Sequence, residues 1–363
     1  MAILGCRGIP ARYGGFETFA DHLSRGLVSA GVDVTVYAEG EGPDISYDEV
    51  RVRYVTPLNL GPASVIAYDV QCLWHARKSF DVVYMLGYGA AWGCVIPKLW
   101  GTRIWMNMDG LEWARSMWHP VVRVYLRWME RVMSVVSDHV LADADAIKVH
   151  YDKQYPSGAP CTFIPYGAHG VSPDRMAERL ARLDLTVDGY FLIVARMEPE
   201  NHILEIMEAH RQWGGPHPLV IVGDHTGHND YCRRLRECHA PSVRFLGAIY
   251  DPGELAALRG GALAYIHGHS VGGTNPSLLE AMWFGSVVIA HDNAFNREVL
   301  GGSGLFFDSI SSLVTAIQDV HDMNMAARTR LKASTQAVVN QKYQWSGVIQ
   351  DLSLIHISQG IVR

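Results

Sequence analysis

Glycines concentrate in residues 5–15, between an apolar strand pattern and a helical pattern. Glycine lets backbone N–H groups approach an anion closely, and the dipole of the following helix favours negative charge at its N-terminus. This glycine loop therefore predicts an anion-binding site, with a tight turn alone as the alternative. The dinucleotide pattern GxGxxG is absent here. Because the Glu17 carboxylate would compete with a phosphate for the same dipole, we expect it to contact an acceptor or to hold the loop.

A second glycine-containing segment consists of Gly272, Gly273 and Thr274. Asn275 follows as a good helix N-cap, and the next residue is a proline, which suits the first helical position. This segment predicts a second anion site. Glu280 lies about one turn further along, among apolar neighbours, so its carboxylate needs a hydroxyl or a cation as partner.

Two polar residues directly follow apolar runs. Arg196 comes after Tyr190–Ala195, and its guanidinium can hold a phosphate with two hydrogen bonds. A surface arginine is the alternative, but two helix N-termini and one arginine together suit a diphosphate. Asp109 comes after Arg103–Met108. Its carboxylate is a candidate ligand contact, and an N-cap role is its structural alternative.

Strand and helix patterns alternate along almost the whole chain, which predicts an α/β fold with two doubly wound parallel-sheet domains facing across a cleft. We expect an N-terminal domain over 1–170, a C-terminal domain over 171–345 and a tail over 346–363, for which a return to the N-terminal domain is one expectation. Residues 352–363 have weak periodicity and carry no structural prediction. The predicted strands are Ala2–Gly5, Asp33–Ala38, Arg51–Val55, Val82–Leu86, Arg103–Met108, Cys161–Pro165, Tyr190–Ala195, Leu219–Gly223, Val243–Gly247, Leu263–His267, Val287–His291 and Gly304–Phe307.

Composition limits the possible classes of protein. The 363 residues are 48% apolar and 19% charged, which excludes a disordered chain and suits two domains. A net charge of −6 argues against a nucleic-acid partner. Six cysteines without a CxxC pair favour reduced thiols, and no signal peptide is recognised. Since the uncharged and largely apolar run Val82–Pro97 is too short for a bilayer, we expect a soluble, cytoplasmic protein.

Histidines cluster at His225 and His228 and again at His267 and His269. Both spacings could ligate a metal ion, but no cysteine stands at a ligand spacing. We therefore expect neutral loop histidines and no metal.

A basic stripe is formed by Arg123, Arg127 and Arg131, which recur every four residues on one predicted helix. Tryptophan and tyrosine residues flank the stripe. Such a face suits an anionic membrane surface. A solvated helix face is an equal alternative.

Four segments together resemble the retaining, family 4 branch of the GT-B glycosyltransferases, typified by bacterial rhamnosyltransferases of capsule and cell-wall polysaccharide synthesis. The resemblance covers about residues 1–345 and rests on residues 7–18, 109–113, 196–201 and 270–282. It implies two Rossmann-like domains, the first on the acceptor side and the second binding a nucleotide-sugar. It also implies a transferase that retains anomeric configuration and uses no metal or other cofactor.

The resemblance also implies roles for individual residues. Arg196 would bind the donor diphosphate and Glu280 the donor ribose. Asp109 would lie near the reacting carbon, where it could orient a sugar hydroxyl or stabilise an oxocarbenium-like transition state. These three are the candidate catalytic residues. Acceptor contact is expected at Arg12, Tyr13, Glu17 and Glu112. Donor contact is expected at Gly14, Gly15, Arg196, Asn201, Gly272, Gly273, Thr274, Asn275 and Glu280.

Two positions depart from the family pattern. Asn201 stands where a lysine is usual, and it keeps a hydrogen-bond donor but loses the charge. Gly272 stands where a glutamate usually contacts hydroxyls of the donor sugar. A 6-deoxy sugar has fewer hydroxyls to hold, so the second departure fits rhamnose.

The expected function is transfer of L-rhamnose from dTDP-rhamnose to a lipid-linked saccharide, at the inner face of the cell membrane. Another UDP- or GDP-hexose is the alternative donor. A sugar-nucleotide epimerase of the same architecture and a non-catalytic sugar-binding protein are the alternatives from other classes.

Overall fold

A computed structural model describes residues 1–11, 14–115, 117–168, 170–171, 174–227, 229–238 and 240–358. The chain divides into two compact units. The N-terminal unit combines Met1–Gly167 with Trp345–Arg363, and the C-terminal unit is Ala168–Gln344. Each unit contains one β-sheet among its described residues.

Strands and helices alternate through both units. The strands are β1 (Ala2–Leu4), β2 (Thr35–Glu39), β3 (Ile45–Tyr47), β4 (Val50–Val55), β5 (Val82–Leu86), β6 (Arg103–Met108), β7 (His139–Ala142), β8 (Cys161–Phe163), β9 (Phe191–Val194), β10 (Leu219–Val222), β11 (Val243–Gly247), β12 (Ala264–His267), β13 (Val288–His291) and β14 (Leu305–Phe307). The helices are α1 (Gly15–Ser29), α2 (Ser64–Ala76), α3 (Val95–Lys98), α4 (Pro120–Val136), α5 (Asp145–Gln154), α6 (Met176–Arg182), α7 (Ile203–Trp213), α8 (Asp230–Glu237), α9 (Pro252–Gly261), α10 (Pro276–Trp283), α11 (Ala294–Leu300), α12 (Ile310–Asp322), α13 (Met325–Lys342) and α14 (Trp345–Ser358). Short 3-10 helices occur at Gly61–Ala63, Ala91–Cys94, Glu112–Ala114 and Pro199–Asn201.

The sheet of the N-terminal unit has the strand order β3-β4-β2-β1-β5-β6-β7-β8 among the described residues. All neighbours pair in parallel except β3, which is antiparallel to β4. The sequence did not predict β3 or β7. Strand β3 is short and exposed, and its turn to β4 uses Asp48 and Glu49 at positive φ instead of the usual glycine. Strand β7 follows the apolar end of α4, so its pattern merges with that of the helix.

The last helix, α14, packs on α1 within the N-terminal unit. The contact is close because Gly26 has no side chain. A Cβ atom there would lie 2.0 Å from Cδ1 of Ile349. The Trp345 ring stacks on His22 at a centroid distance of 5.0 Å. The helix continues to Ser358, although the periodicity of the sequence beyond residue 351 is too weak to predict it.

The C-terminal unit has a parallel sheet with the strand order β11-β10-β9-β12-β13-β14 within the described part of the chain. Its central strands are almost entirely apolar and buried, as expected of a sheet covered by helices on both faces. The predicted α/β fold with two parallel-sheet domains is therefore confirmed. None of the described helices is long and apolar enough to cross a bilayer.

The glycine after β1 illustrates how closely the backbone packs at the carboxyl edge of the first sheet. Gly5 has φ +85°, and a Cβ atom would lie 2.2 Å from the carbonyl oxygen of Leu86 at the end of β5. Gly31, which follows α1, has a similar φ of +87°, but a Cβ there would meet no atom within 4 Å.

These two glycines form a matched pair for mutation. We expect Gly31→Ala to lower the free energy of unfolding by about 1–2 kcal/mol, the cost of a left-handed conformation for a residue with a side chain. Gly5→Ala should lower it by more, since the overlap with the Leu86 carbonyl is added. Urea titrations followed by far-UV circular dichroism measure both. Equal losses would show that the turn after β1 relaxes freely.

Candidate functional site

Two carboxylates of α1 hold the glycine loop of the N-terminal unit. Oε1 of Glu17 accepts a hydrogen bond from the backbone N–H of Arg7 at 3.0 Å, and Oδ2 of Asp21 accepts one from Ala11 at 3.0 Å. Gly14 precedes the helix at φ +89°, and a Cβ there would lie 2.6 Å from Oε2 of Glu17. The glycine is thus required by the loop itself, and Glu17 has the loop-holding contact that was one of its two expected roles.

The other predicted residues of this loop are placed only in part. Gly15 is the first residue of α1. Arg12 and Tyr13, both expected to contact an acceptor, lie outside the described residues. Their roles stay predictions.

Asp109 directly follows β6 and is half-buried. The 3-10 helix Glu112–Ala114 begins after Leu111 and has no side-chain cap, while α4 is capped by the imidazole of His119. Asp109 therefore caps neither helix, and its structural alternative as an N-cap is wrong. Its carboxylate lies at the edge where ligands bind in parallel sheets.

Tyr88, which follows β5, fixes the backbone beside Asp109. Its buried hydroxyl accepts a hydrogen bond from the N–H of Glu112 at 2.8 Å and donates to the carbonyl of Gly110 at 3.5 Å. Burial raises the pKa of this phenol, so the group stays protonated and able to donate. The Glu112 carboxylate, expected to contact an acceptor, forms an ion pair with Arg115 at 2.8 Å. Sequence reasoning missed Tyr88, because its contacts come from a different loop.

The segment that follows β6, which includes Asp109 and Trp113, is also held by a buried carboxylate on α4. Glu130 is 1% exposed. Its Oε2 accepts a hydrogen bond from the indole N–H of Trp113 at 2.5 Å, and its Oε1 lies 3.2 Å from Nε2 of His150 and 3.1 Å from the hydroxyl of Tyr155. This arrangement ties the segment that carries Asp109 to α4 and α5.

In the C-terminal unit, Arg196 follows β9 with 58% of its side chain exposed. Its Nη1 lies 3.1 Å from Oε1 of Glu198. The buried Asn201 donates from Nδ2 to the backbone carbonyl of Arg196 at 2.7 Å. The asparagine therefore shapes the turn that carries Arg196, and that donor atom is engaged within the protein.

The second glycine segment leads into α10 as the sequence predicts. Oδ1 of Asn275 accepts a hydrogen bond from the N–H of Ser277 at 2.9 Å, which caps the helix. Thr274 is buried, and Gly273 precedes it. Gly272 has φ +124°, and a Cβ there would meet no atom within 4 Å, so the space beside it is open.

The loop that carries Arg196 and the start of α10 are connected. Tyr265 and Ser277 share a hydrogen bond of 2.6 Å between their hydroxyls. Both hydroxyl oxygens also lie within hydrogen-bond distance of the carbonyl oxygen of Val194, the last residue of β9, at 3.2 and 3.1 Å, so one of them donates to this carbonyl while the other donates to its neighbouring hydroxyl. Ser270 donates to the carbonyl of Glu200 through its N–H and its hydroxyl. Arg196 and the capped end of α10 thus lie at one edge of the sheet.

Glu280 forms an ion pair with an arginine that sequence reasoning missed. Nη2 of Arg259 lies 2.5 Å from Oε2 of Glu280, and the arginine is 4% exposed. The signal in the sequence was a single arginine within the otherwise small and apolar second half of α9. The carboxylate has the cationic partner that its apolar surroundings demand, while 28% of its side chain stays exposed.

Histidines stack in pairs near the ends of β12 and β13. The rings of His267 and His269 are 4.3 Å apart, and those of His202 and His291 are 4.7 Å apart. Burial, followed by the neighbouring histidines, lowers the pKa of His267 well below its usual value, so this ring is neutral at pH 7. The described residues contain no group of three or more side chains suited to hold a metal ion. His228 lies outside them.

Two family models match the chain. Residues 183–337 match the model described as Glycosyl transferases group 1, and residues 1–169 match a domain of unknown function, DUF1972. No curated protein matches the sequence.

Solved structures resemble the whole chain. Sucrose-phosphate synthase from Thermosynechococcus elongatus is 17% identical over 99% of this chain and 98% of that chain, with a TM-score of 0.82. Anabaena HepE in complex with UDP-glucose is 16% identical over 98% of both chains, with a TM-score of 0.79. An α,α-trehalose-phosphate synthase (UDP-forming) from Burkholderia vietnamiensis is 13% identical over 93% of this chain and 97% of that chain, with a TM-score of 0.72. The shared fold is GT-B. The C-terminal unit combines this fold with a match to the family described as Glycosyl transferases group 1.

Substitutions in the ion pair of Arg259 and Glu280 can distinguish a structural role of Glu280 from a role in ligand binding. Glu280→Gln and Arg259→Gln each leave a partly or fully buried charge without its counter-charge, so both should lower the melting temperature. If Glu280 also binds the donor ribose, Glu280→Gln should lose about tenfold or more in donor use per folded molecule, since hydrogen bonds to charged groups contribute about 1.5–3 kcal/mol. Arg259→Gln keeps the carboxylate and should lose less.

Calorimetric melting and donor kinetics on the same two preparations make this comparison. If Glu280→Gln lowers the melting temperature but leaves the donor kinetics normal, Glu280 has only a structural role through its ion pair.

Proposed function

We propose that this protein transfers a sugar from a nucleotide diphosphate sugar to a carbohydrate acceptor. The observation that carries the proposal is the position of Arg196 and the capped start of α10 at one sheet edge, with Glu280 one turn further along the same helix. A diphosphate at this edge would meet a guanidinium and a helix N-terminus. Its ribose would then extend towards Glu280.

The expected catalysis rests on stabilising the leaving diphosphate. Negative charge develops on it as the bond to the sugar breaks, and fixed positive groups lower the energy of that state. Arg196, whose side chain is largely exposed, supplies a full charge, and the dipole of α10 adds a partial one. We propose that no metal or other cofactor takes part and that the anomeric configuration is retained. Gly14 and Gly15 are further proposed donor contacts.

For the donor sugar we propose L-rhamnose, carried by dTDP. Support comes from Gly272, where the open space beside the backbone has no carboxylate to bind additional sugar hydroxyls. A UDP-hexose is the second candidate, since HepE binds UDP-glucose and the trehalose-phosphate synthase is UDP-forming.

For the acceptor we propose a lipid-linked saccharide used in polysaccharide synthesis. Asp109 lies at the carboxyl edge of the other sheet, and its carboxylate caps no helix. We propose that it orients a sugar hydroxyl. Arg12, Tyr13, Glu17 and Glu112 are the remaining proposed acceptor contacts, and the membrane is the place where such an acceptor is held.

A donor screen tests the function directly. The purified protein is incubated with a panel of dTDP-, UDP- and GDP-linked sugars, without an acceptor. We expect slow hydrolysis of the donor, fastest with dTDP-rhamnose. Release of the nucleoside diphosphate is measured by chromatography, with and without prolonged EDTA treatment. Turnover should survive the chelator. Loss of activity that added divalent ions restore would contradict metal independence, and conversion of the donor into an isomer would favour the epimerase.

Substitution of Arg196 tests the placement of the diphosphate. Arg196→Ala should weaken binding of free nucleoside diphosphate by about tenfold or more, because a charge-assisted hydrogen bond is worth about 1.5–3 kcal/mol. Isothermal calorimetry measures the change. The control is Arg182→Ala, which removes an exposed arginine on α6 of the same unit. Equal affinity of Arg196→Ala and the unaltered protein would place the diphosphate elsewhere.

A further inference from the structure

Exposed tryptophans mark one part of the N-terminal unit. Of the described residues, Trp74, Trp92, Trp100 and Trp128 are the tryptophans that expose more than two fifths of their surface, at 51%, 43%, 46% and 58%. Monomeric proteins rarely leave several large aromatic side chains in water on one surface.

These tryptophans lie on or beside helices of a single layer. The crossovers that contain α2, α3 and α4 all run in the same direction along the sheet, from β4 to β5, β6 and β7. Since such crossovers are right-handed, the three helices cover the same face of the sheet. Contacts between α2 and α3, and between α4 and the 3-10 helix Ala91–Cys94, join them into one layer. We call its solvent side the outer face.

On α4, the outer face is apolar as well as basic. Val121, Val124, Trp128 and Val135 are exposed, and their spacing of three, four and seven places them on one side of the helix. The opposite side of α4 packs into the core through Leu126, Met129 and Met133. The helix is therefore apolar on two sides, and only the inner one is covered by the unit.

The basic stripe borders this outer side. Arg123, Arg127 and Arg131 are all exposed. The Arg127 guanidinium also lies 4.2 Å from the ring centre of Trp113. The stripe predicted from the sequence is thus at the surface, next to apolar side chains.

A second cluster of the same chemistry lies where α2 and α3 end. The guanidinium carbon of Arg77 is 4.1 Å from the ring centre of Trp74 and 5.9 Å from that of Trp100. Nζ of Lys78 is 5.5 Å from the ring centre of Trp100, and the neighbouring Leu99 is 76% exposed. Cations beside tryptophan rings thus recur at two places on the layer, at half-buried Trp113 and at exposed Trp74 and Trp100.

Charge favours an anionic occupant. Residues 61–136 hold eight Lys and Arg against five Asp and Glu, whereas the whole chain has a net charge of −6. Two of these acidic residues, Asp69 and Glu130, are buried and do not reach the outer face. Tryptophan prefers the polar boundary of a bilayer, where its ring is apolar and its N–H is hydrated, and arginine binds lipid phosphates.

We propose that the outer face of α2, α3 and α4 docks on the surface of a bilayer that contains anionic lipids. The aliphatic and tryptophan side chains enter the headgroup region, and the arginines and lysines bind lipid phosphates. The proposal deepens the proposed function and rests on it in one respect: a lipid-linked acceptor would be held at the surface where the enzyme docks. The docking itself needs no catalysis.

Vesicle binding of the full chain tests the proposal. The protein should cosediment with vesicles of phosphatidylcholine mixed with phosphatidylglycerol, and much less with phosphatidylcholine alone. Binding should weaken as salt is added, because exposed charges are screened. Brominated lipids should quench tryptophan fluorescence of the unaltered protein, which tests insertion without any substitution.

Variants then locate the surface. Lys78→Glu with Arg131→Glu should reduce binding to the anionic vesicles by about tenfold or more, given the known contribution of each basic residue at a membrane. Trp74→Ser with Trp100→Ser and Trp128→Ser should strongly reduce bromolipid quenching, with Trp92 as the remaining exposed tryptophan of the layer. The controls are Arg182→Glu and Tyr250→Ser, which alter exposed residues of the C-terminal unit and should bind as the unaltered protein does.

Donor hydrolysis in solution separates this proposal from the function. Hydrolysis should be normal in the surface variants, whereas failure of the unaltered protein to use any donor would overturn the function and leave docking intact. Absence of vesicle binding, or equal binding by surface and control variants, would overturn the docking proposal. Sedimentation that shows a dimer broken by the tryptophan substitutions would assign the face to a second copy of the chain instead.

Discussion

Parallel strand pairing is the constraint on which both candidate sites depend. Two parallel neighbours cannot be joined by a tight turn, so the chain must cross back over the sheet, usually through a helix. All parallel strands of a sheet consequently end at the same edge. Asp109 after β6 and Arg196 after β9 lie at such edges for this reason, and neither needs a contact with its sequence neighbours to be placed there.

Several charged groups in and around the candidate sites already have partners within their own unit. Arg259 binds Glu280, a backbone N–H binds Glu17, and Trp113 binds Glu130. A buried carboxylate without such partners would be strongly destabilising. These contacts also restrict the side chains before any ligand arrives, which reduces the entropy lost on binding. The arrangement suits an enzyme whose catalysis rests on positioning and on a fixed charge.

The two units differ in which functional features they carry. The C-terminal unit resembles a known glycosyl transferase domain and carries the arginine and capped helix of the proposed donor site. The N-terminal unit exposes tryptophans and arginines on one helix layer. In the proposed function, the C-terminal unit binds a water-soluble nucleotide sugar, and the N-terminal unit contacts the surface that holds the acceptor. One chain would thus combine a soluble donor with a membrane-bound acceptor.

The sequence by itself determined the fold class, most strands and the capped start of α10 at Asn275, because periodicity and capping depend on residues only a few positions apart. It also indicated that Glu280 needs a partner. Only the tertiary structure decided that this partner is Arg259, that Glu130 holds the segment behind Asp109, and that the short edge strand β3 pairs at all. These contacts join residues of separate elements. Their distances depend on strand order and on how the helices pack across the sheet, which no local pattern records.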